Sequence, residues 1–334
     1  MIVPDQHFDA RIFEKDVAMA AIRSGFGDGL VLAGERDPNV VGLCADLTDS
    51  THMLPFKEKY PDRFIEVGVA EQNLAGVGSG MAAMGKVPFI TSYAMFSPGR
   101  NWEQIRTTIC YNDQPVKIAG SHAGISVGPD GGTHQAIEDI AITRVIPRMI
   151  VLSPCDAIEA RKATIAAAST GTPVYLRLAR EKTPVMTTDD SPFEIGKAQC
   201  VWDTSLGQPA LEPQVTLIAT GALLHQALVA AREVAADGIG SIVINLSTIK
   251  PIDEAGILAA VRRAPRVVTV EEHQVAGGMG SAVAELLVQR MPVPQRFIGV
   301  GDDFGQSGTP EELIAHYGMD TPHIVAAIRD VVHV

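Results

Sequence analysis

Cysteine, aromatic residues and positive charge are all scarce in this chain of 334 residues. Its four cysteines, Cys44, Cys110, Cys155 and Cys200, lie far apart and form no Cys-x-x-Cys pair. This spacing argues against a structural zinc site and against a disulfide framework. It fits a reducing compartment, and we expect a cytoplasmic protein.

Lysine and arginine number 27 against 39 aspartates and glutamates, which gives a net charge of −12 at pH 7. An acidic surface repels polyanions, so this balance argues against broad binding of nucleic acids or anionic membranes. A few local arginines remain sufficient to hold a small anionic substrate.

Long apolar runs are also lacking. No window reaches the ~18 uninterrupted apolar residues of a membrane span, and the longest uncharged apolar stretch, Gln72 to Gly85, ends at Lys86. The opening residues MIVPDQHFDARIFEKD carry acidic side chains and have no apolar core. We therefore expect neither a membrane span nor a signal peptide.

The sequence does contain a regular alternation of short β-rich runs and helical patterns, typical of parallel sheets covered by helices. At ~100–200 residues per domain, the length predicts two domains. The turn-rich, weakly periodic stretch from Thr183 to Pro213 indicates a linker and the entry to the second domain. We predict α/β domains at 1–190 and 191–334, with strands at 40–44, 63–67, 87–91, 115–119, 149–153, 173–177, 215–220, 241–245, 266–272 and 296–300.

Two helix starts and several glycine clusters carry local signals. Asp156 and Glu159 have the spacing of a capping box, and Thr321-Pro322 is typical of an N-cap followed by a first-turn proline. Glycine clusters at 25–29, 76–80, 277–281 and 299–305 match neither the dinucleotide fingerprint nor the P-loop. We interpret them as tight turns and close helix packing.

The segment RFIEVGVAEQNLAGVGSGMAAMGK, residues 63–86, places Glu71 at the joint between a predicted strand and an apolar helix. Burying a carboxylate among apolar side chains is unfavourable unless it has a partner. Glu71 is therefore a candidate functional residue. Glu66 is a weaker candidate, because its alternation with Ile65 and Val67 places it on the more polar face of the strand.

The loop GSHAGISVGPDGGTHQAIED, residues 120–139, follows a predicted strand and should lie at the sheet edge where α/β folds bind ligands. It holds His122, Asp130 and His134 among five glycines, which indicates a site. The spacing of the histidines matches no metal-ligand motif. Hydrogen bonding and proton exchange with a hydroxylated substrate suit them better.

Three segments, RFIEVGVAEQN, SHAGISVGPDGGTHQAIED and EEHQVAGGMGS, resemble the transketolase family in order and spacing. The resemblance runs from about residue 17 to the C-terminus, and it covers only the second half of a full-length transketolase, the pyrimidine-binding and C-terminal domains. It implies the second subunit of a split transketolase. The partner would be an N-terminal subunit with the diphosphate-binding domain, in a heterotetramer with two copies of each chain.

The resemblance implies thiamine diphosphate as cofactor, with Mg²⁺ held by the partner. Glu71 would contact N1′ of the aminopyrimidine and favour its imino tautomer, whose N4′ takes the proton from C2 of the thiazolium. Tyr93 and Phe96 correspond to the aromatic pair that packs on this ring, and Asp46 to an aspartate near the cofactor. The family usually has Phe at the position of Tyr93, and an aromatic residue where this chain has Gly99.

By the same resemblance, His122 and His134 line the substrate channel and take part in catalysis, and Asp130 reads a sugar hydroxyl. The residues implied to hold the terminal phosphate are Arg23, Ser50, His134 and Arg180. The EEHQVAGGMGS segment is implied to support the dimer interface. Gly27-Asp28-Gly29 lies in a predicted helix with Asn39 too close behind, so it is not the family's magnesium–diphosphate motif, and no metal ligand is predicted in this chain.

The resemblance implies transfer of a two-carbon ketol unit from a ketose phosphate, or another anionic-tailed ketose, to an aldose. A 1-deoxyxylulose-5-phosphate synthase is the alternative, but that family has AEQH and Tyr-Pro-Arg-Gly where this chain has AEQN and RLARE. A 2-oxoacid dehydrogenase β subunit lacks the GTHQ loop. A non-catalytic assembly subunit would not need Glu71, His122, Asp130 and His134 together. The sequence names neither the sugar nor its anionic group.

Overall fold

The computed structural model describes residues 1–334. The strands are β1 (Met19–Ala21), β2 (Val40–Cys44), β3 (Phe64–Glu66), β4 (Val87–Tyr93), β5 (Lys117–Ser121), β6 (Ile150–Leu152), β7 (Val174–Arg177), β8 (Lys182–Pro184), β9 (Gln199–Asp203), β10 (Pro213–Ala219), β11 (Gly240–Asn245), β12 (Thr248–Lys250), β13 (Val267–Gln274) and β14 (Gln295–Val300). The helices are α1 (Ile22–Arg36), α2 (Leu54–Lys59), α3 (Glu71–Ala83), α4 (Trp102–Gln104), α5 (Asp139–Arg144), α6 (Ala157–Ala168), α7 (Leu224–Ala236), α8 (Glu254–Arg263), α9 (Met279–Arg290), α10 (Pro310–His316) and α11 (Thr321–Val332). No helix is long and apolar enough to cross a membrane.

Two mostly parallel sheets organise these elements, which confirms the predicted α/β class. A seven-stranded sheet has the order β12-β6-β7-β5-β4-β2-β3, and only β12 runs antiparallel to its neighbour. A five-stranded sheet has the order β14-β13-β10-β11-β9, with β9 antiparallel. A small antiparallel pair joins β1 to β8.

Every strand predicted from the sequence overlaps an observed strand. The strands β1, β8, β9 and β12 are not predicted. Strands β8 and β9 overlap the turn-rich stretch from Thr183 to Pro213, which the sequence analysis interprets as a linker and domain entry. Asp156 caps α6 as predicted, since its side chain accepts a hydrogen bond from Glu159 N. The prediction for the last helix is wrong by one residue. Asp320, not Thr321, is the N-cap, and it accepts from His323 N.

The two halves of the chain are interleaved. Strand β12 lies in the second half of the sequence but pairs with β6 at the edge of the seven-stranded sheet. Conversely, Val3 N donates to Val201 O, so the first residues pack on the five-stranded sheet. One apolar cluster includes Ile118 of β5 and Ile218 of β10. The division into 1–190 and 191–334 stays a prediction.

The glycines of GFGDG lie in α1, where they let it approach α6 closely. A Cβ atom at Gly25 would lie 1.8 Å from Ala157 O, and one at Gly29 would lie 2.7 Å from Thr164 Cβ. The two helices share one apolar cluster with residues of the seven-stranded sheet. The glycines of this cluster therefore allow close packing of the two helices, which agrees with the interpretation made from the sequence.

The fold brings the candidate site segments to one edge of the seven-stranded sheet, because parallel strands end on the same side. Four of its strands are followed directly by segments with candidate residues. These are β2 before Asp46 and Ser50, β3 before Glu71, β4 before Phe96, and β5 before His122, Asp130 and His134. Arg180 follows β7, and Arg23 lies in the first turn of α1.

A buried polar network fixes the loop 122–139 from behind. Asp139 accepts hydrogen bonds from Tyr175 OH at 2.6 Å and from Arg177 Nε at 2.9 Å. Arg177 Nη2 donates to the carbonyl oxygens of Ala136 and Glu272, the latter on β13 of the second sheet. Arg177 and Asp139 are both buried. Their ion pair thus joins the loop to both sheets.

Asp139→Asn should lower the free energy of unfolding by about 3–5 kcal/mol, because it leaves the Arg177 charge buried without a carboxylate. Asp330→Asn is the matched control, since Asp330 forms an exposed ion pair with Arg296. Its loss should be below about 1 kcal/mol. Urea denaturation of each variant measures both values. Equal losses in the two variants would contradict the role given to Asp139.

Candidate functional site

Glu71 is the first residue of α3 and is only 1% exposed. Its Oε2 accepts a hydrogen bond from Arg100 Nη1 at 2.7 Å, and Ser92 Oγ lies 3.5 Å from Oε1. The start of a helix also favours negative charge. The sequence analysis assigns Glu71 a partner outside the chain, whereas the structure adds Arg100, which is absent from the predicted site.

The segment 97–101 holds the backbone at Glu71 in place. Asn101 Nδ2 donates to Glu71 O at 3.0 Å and lies 3.1 Å from Ser97 Oγ. Both Ser97 and Asn101 are buried. The carboxylate is therefore anchored through its own main chain, and Arg100, next to this anchor, projects a half-exposed side chain over it.

Phe96 and Tyr93 form the aromatic wall beside Glu71. Their ring centroids lie 6.2 Å apart with planes inclined by 20°. The Arg100 guanidinium carbon lies 4.6 Å from the Phe96 centroid, in a cation–π contact. At Gly99, a Cβ would lie 2.0 Å from Met95 O, so this backbone leaves no room for the aromatic residue usual in the family. Arg100 covers Phe96 instead.

Strand register brings the histidines to this wall. Tyr93 pairs with Ser121 between β4 and β5, which places the next residue, His122, beside the Tyr93 ring. The two ring centroids lie 3.8 Å apart at 26°. His134 meets Phe96 edge-on at 5.4 Å. These contacts bring His122, His134, Tyr93 and Phe96 together, and their roles stay predictions.

His122 is a neutral imidazole with a defined tautomer. Its Nε2 lies 3.2 Å from Arg23 Nη1, which can only donate, so Nε2 accepts and Nδ1 carries the proton. Nδ1–H then donates to Ser121 Oγ at 2.9 Å. Burial, followed by the charges of Arg23 and Arg180, lowers the pKa of His122 to about 3.

A row of planar groups thus crosses the site. We call Arg100, Phe96, Tyr93, His122 and Arg23, in this order of contact, the planar row. Glu71 lies at one end of the row, bound to Arg100. At the other end lie the cationic groups around Arg23. The site therefore has a carboxylate end and a cationic end.

The cationic end contains one buried guanidinium donor without a partner. Arg23 Nη1 donates to Ser50 O, while Arg23 Nε is buried without a hydrogen-bond partner. Burial and the charge of Arg180 both lower the pKa of Arg23. Arg180 Nη1 donates to Val127 O at 2.7 Å, and its nearest carboxylate is Glu181 at 3.4 Å. An incoming oxyanion would satisfy the unpaired donor and relieve this repulsion.

Two predicted residues stand apart from the planar row. Asp130 is exposed at the end of a turn over Ile125–Asp130, and its side chain makes no hydrogen bond within the chain. Asp46 is also exposed, and its backbone N donates to Glu66 Oε1 at 2.6 Å. Thr48 Oγ1 donates to the other oxygen of Glu66. Glu66 therefore supports the Asp46 loop and does not compete with Glu71.

Three of the seven non-glycine residues with positive φ lie in the site loops. His122, Asp46 and His52 have φ values of 57°, 60° and 60°, in the left-handed region that non-glycine residues rarely adopt. Such conformations persist only where surrounding contacts enforce them, and they cluster at functional sites. The sequence analysis does not predict His52, which lies close to Arg23. Burial of its ring, followed by the charge of Arg23, lowers the pKa of His52.

Strand β13 supplies further residues that the sequence analysis assigns to an interface. Glu272 Oε1 accepts from Ser126 N, and His273 Nε2 accepts from Ile140 N at 3.1 Å. Burial raises the pKa of Glu272 and lowers that of His273 to about 4. Both side chains are buried inside the chain, where they hold the site loop. A sequence signal for this support exists, because three consecutive ionisable residues, 271–273, lie near the end of a buried apolar strand.

No group of three or more histidine, cysteine, aspartate or glutamate side chains is arranged to hold a metal ion.

Two family models match the chain in succession. The one described as "Transketolase, pyrimidine binding domain" matches residues 18–186, and "Transketolase, C-terminal domain" matches residues 208–324. A putative transketolase C-terminal section of Methanocaldococcus jannaschii is 39% identical over 312 residues, 92% of this chain and 95% of that protein. The chain belongs to the transketolase family.

Other transketolase-family proteins match over nearly their full length. The 6-deoxy-6-sulfo-D-fructose transketolase subunit SqwH of Clostridium sp. is 37% identical over 319 residues, 96% of this chain and 97% of that protein. A solved structure described as "Split gene transketolase, inactive beta4 tetramer" is 41% identical, with a TM-score of 0.85 over 94% of this chain and 98% of that chain. These matches confirm the resemblance to the second half of a transketolase.

Arg23→Gln should raise the pKa of His122 above about 3, because it removes the largest charge contribution to the lowering. Burial remains, so the pKa should stay below 6.5. An NMR titration of the His122 ring measures it, with Arg36→Gln, an exposed arginine on the same helix, as control. An unchanged pKa in Arg23→Gln would contradict the contact.

The lowered pKa of His122 also determines how the free energy of unfolding depends on pH. Between about 3 and 6.5 the unfolded chain binds a proton on His122 that the folded chain does not. Its contribution to the free energy of unfolding should therefore be lost as the pH falls through this range, by up to about 1.4 kcal/mol per pH unit.

Proposed function

We propose that the chain is the C-terminal subunit of a split transketolase, a glycolaldehyde transferase that uses thiamine diphosphate and Mg²⁺. It transfers a two-carbon ketol unit from an anionic-tailed ketose to an aldose. The observation that carries this proposal is the planar row, with buried Glu71 at one end and an unsatisfied cationic cluster at the other.

The residues at the carboxylate end fit the aminopyrimidine of the cofactor. A buried carboxylate suits a ring nitrogen that must carry a proton, and the Phe96 and Tyr93 rings suit a flat heteroaromatic partner. When bound, thiamine diphosphate supplies a carbon nucleophile that attacks the ketose carbonyl. Glu71 would hold the proton at N1′, with Asn101 holding the Glu71 main chain in place and Ser92 lying next to its carboxyl group.

The neutral state of His122 suits a role at a sugar hydroxyl. Nε2 is an acceptor that at present receives the Arg23 hydrogen bond. When an anionic tail draws Arg23 toward itself, Nε2 becomes free to accept from a hydroxyl group of the donor. His134, whose Nδ1 lies 2.9 Å from Thr133 Oγ1, meets both Phe96 and Tyr93 edge-on and would offer its other nitrogen to the same substrate. Asp130 has free acceptors for a further hydroxyl.

The cationic end would hold the tail of the ketose. Guanidinium groups donate paired hydrogen bonds to a tetrahedral oxyanion, whether phosphate or sulfonate. Arg23, which donates to Ser50 O, and the nearby Arg180 would supply two such groups. The relative named for a sulfonated fructose supports a tail chemistry wider than phosphate.

A partner subunit would complete the site by supplying the groups for Mg²⁺ and the diphosphate, since this chain has no group of three or more histidine, cysteine, aspartate or glutamate side chains arranged for a metal ion. The helix that carries Glu71 has an exposed face of small and polar residues, and the apolar side chains of Val69 and Met84 are exposed at its two ends. Such a surface is suited to close packing of another polypeptide. We propose an N-terminal transketolase subunit here, in a heterotetramer with two copies of each chain. The solved relative described as an inactive β4 tetramer supports this dependence.

The isolated chain should bind thiamine diphosphate poorly and show no ketol transfer, while the mixture with the N-terminal subunit should do both. The measurements are calorimetric titration of the cofactor with Mg²⁺ and a ketol transfer assay on each chain and on the mixture. In the mixture, Glu71→Gln should lower kcat by about a hundredfold or more, because an amide cannot exchange the proton.

Glu58→Gln, an exposed glutamate on α2, is the matched control and should retain activity. Tight magnesium-dependent binding and turnover by the isolated chain would refute the half-site arrangement. Full activity in a folded Glu71→Gln complex would refute the role of Glu71.

Arg180→Gln should raise KM for phosphorylated or sulfonated ketoses by roughly tenfold to a hundredfold, and leave KM for hydroxypyruvate nearly unchanged. The reason is the loss of one charge-assisted contact, worth roughly 1.5–3 kcal/mol. Lys182→Gln, an exposed neighbouring cation, is the control. If all substrates suffer equally, the hydrogen bond to Val127 is the main role of Arg180.

A further inference from the structure

Arg100 makes two contacts that do not usually occur together. Its Nη1 donates to Glu71 Oε2 at 2.7 Å, and its guanidinium carbon lies over the Phe96 ring, 4.6 Å from the centroid. It is thus a flat N–H donor that is bonded to a buried carboxylate and lies over an aromatic face. Half of the side chain is exposed, so its outer side is free.

These two contacts are those that an aminopyrimidine would need in the same place. A protonated ring nitrogen would donate to the Glu71 carboxyl group, and the ring face would lie on Phe96. Guanidinium and aminopyrimidine are both planar and both present N–H groups at their edge. They cannot occupy the same face of Phe96 at once. We propose that Arg100 is a placeholder, which occupies the aminopyrimidine position in the free subunit and is displaced when the cofactor binds.

The placeholder removes an unfavourable state of the free subunit. Without the cofactor, the Glu71 carboxylate would be buried with only a weak contact to Ser92 at 3.5 Å. Arg100 neutralises it. The same contact opposes the proposed function, because a guanidinium stabilises the ionised carboxylate, whereas the proton relay requires a carboxyl group that shares a proton with N1′.

The surrounding backbone allows the side chain to leave. Asn101 and Ser97 anchor the turn through buried hydrogen bonds, so displacement of Arg100 needs only side-chain rotation. No side chain at Gly99 blocks the way outward. Arg100 can therefore move into solvent or toward a partner without moving Glu71.

The inference rests on the proposed function. It is testable because it predicts the direction in which the affinity for the cofactor changes. Arg100→Gln should tighten thiamine diphosphate binding to the assembled complex by about tenfold, because no charge-assisted hydrogen bond has to be broken first. A residue that supports the bound cofactor would have the opposite effect. Calorimetric titration of thiamine diphosphate with Mg²⁺ into wild-type and variant complexes measures the dissociation constants. Arg106→Gln, an exposed arginine six positions further along the chain, is the control and should leave the constant unchanged.

Glu71→Gln and the double variant separate the placeholder from a general effect of lost charge. In the Glu71→Gln background no ion pair holds Arg100 in place, so Arg100→Gln should change the dissociation constant less than twofold. Arg100→Lys should tighten binding only slightly, because an ammonium group keeps the charge pair but has no flat face for Phe96. This conservative variant also serves if Arg100→Gln folds poorly. The melting temperature of each subunit, measured alone, reports its folding.

The outcomes distinguish the two proposals. If the wild-type complex binds no thiamine diphosphate, the proposed function is refuted, and the placeholder with it. If the wild-type complex binds the cofactor but Arg100→Gln binds it equally or more weakly, only the placeholder is refuted. Tighter binding in Arg100→Gln that disappears in the double variant supports it.

Discussion

The buried ion pair between Arg177 and Asp139 is the interaction on which the packing of the two sheets and the site loop depends. Arg177 pairs with Asp139 at the end of the site loop and donates to carbonyl oxygens on that loop and on β13. A charge taken out of water must have its partners in place, so this contact permits little variation in how the two sheets meet. Glu272 then reaches Ser126 from the second sheet, and the loop that carries His122 is fixed at both ends. The C-terminal half thereby shapes a site that lies at the edge of the other sheet.

The site itself is organised by the separation of charge. Glu71 and its bound arginine lie at one end of the planar row, and Arg23 and Arg180 lie near the other. Between them, Tyr93 and Phe96 are uncharged, and His122 is kept neutral by burial and by the neighbouring cations. Neutral aromatic groups between two charged ends suit a reaction in which the proton chemistry and the anionic tail of one substrate must stay apart.

The sequence was sufficient for most of the strands, and its family motifs named candidate site residues that the structure brings close together. Apolar strands such as β2 and β11 have enough residues for their pattern to be recognised, and Glu71, His122 and His134 stand in distinctive segments. Arg100 could not be predicted, because SPGRN indicates only a turn and its partner lies 29 positions earlier in the chain. The support from Glu272 spans 146 positions. Such contacts depend on how the two sheets pack, which no local pattern encodes.

Strand β12 comes from the second half of the chain but completes the sheet of the first half, which limits where such a protein can be divided. If the polypeptide were cut near residue 190, β6 would become an open edge of its sheet. Strand β12, Thr248–Lys250, would then lie on the other fragment without its pairing partner. Open edges recruit foreign strands, so both fragments would be prone to aggregate. The two halves of the chain therefore depend on each other for a complete sheet. Gene fission or domain shuffling that respects folding has to fall outside this pair of sheets, and recombination between relatives should preserve β6 and β12 as a co-inherited set.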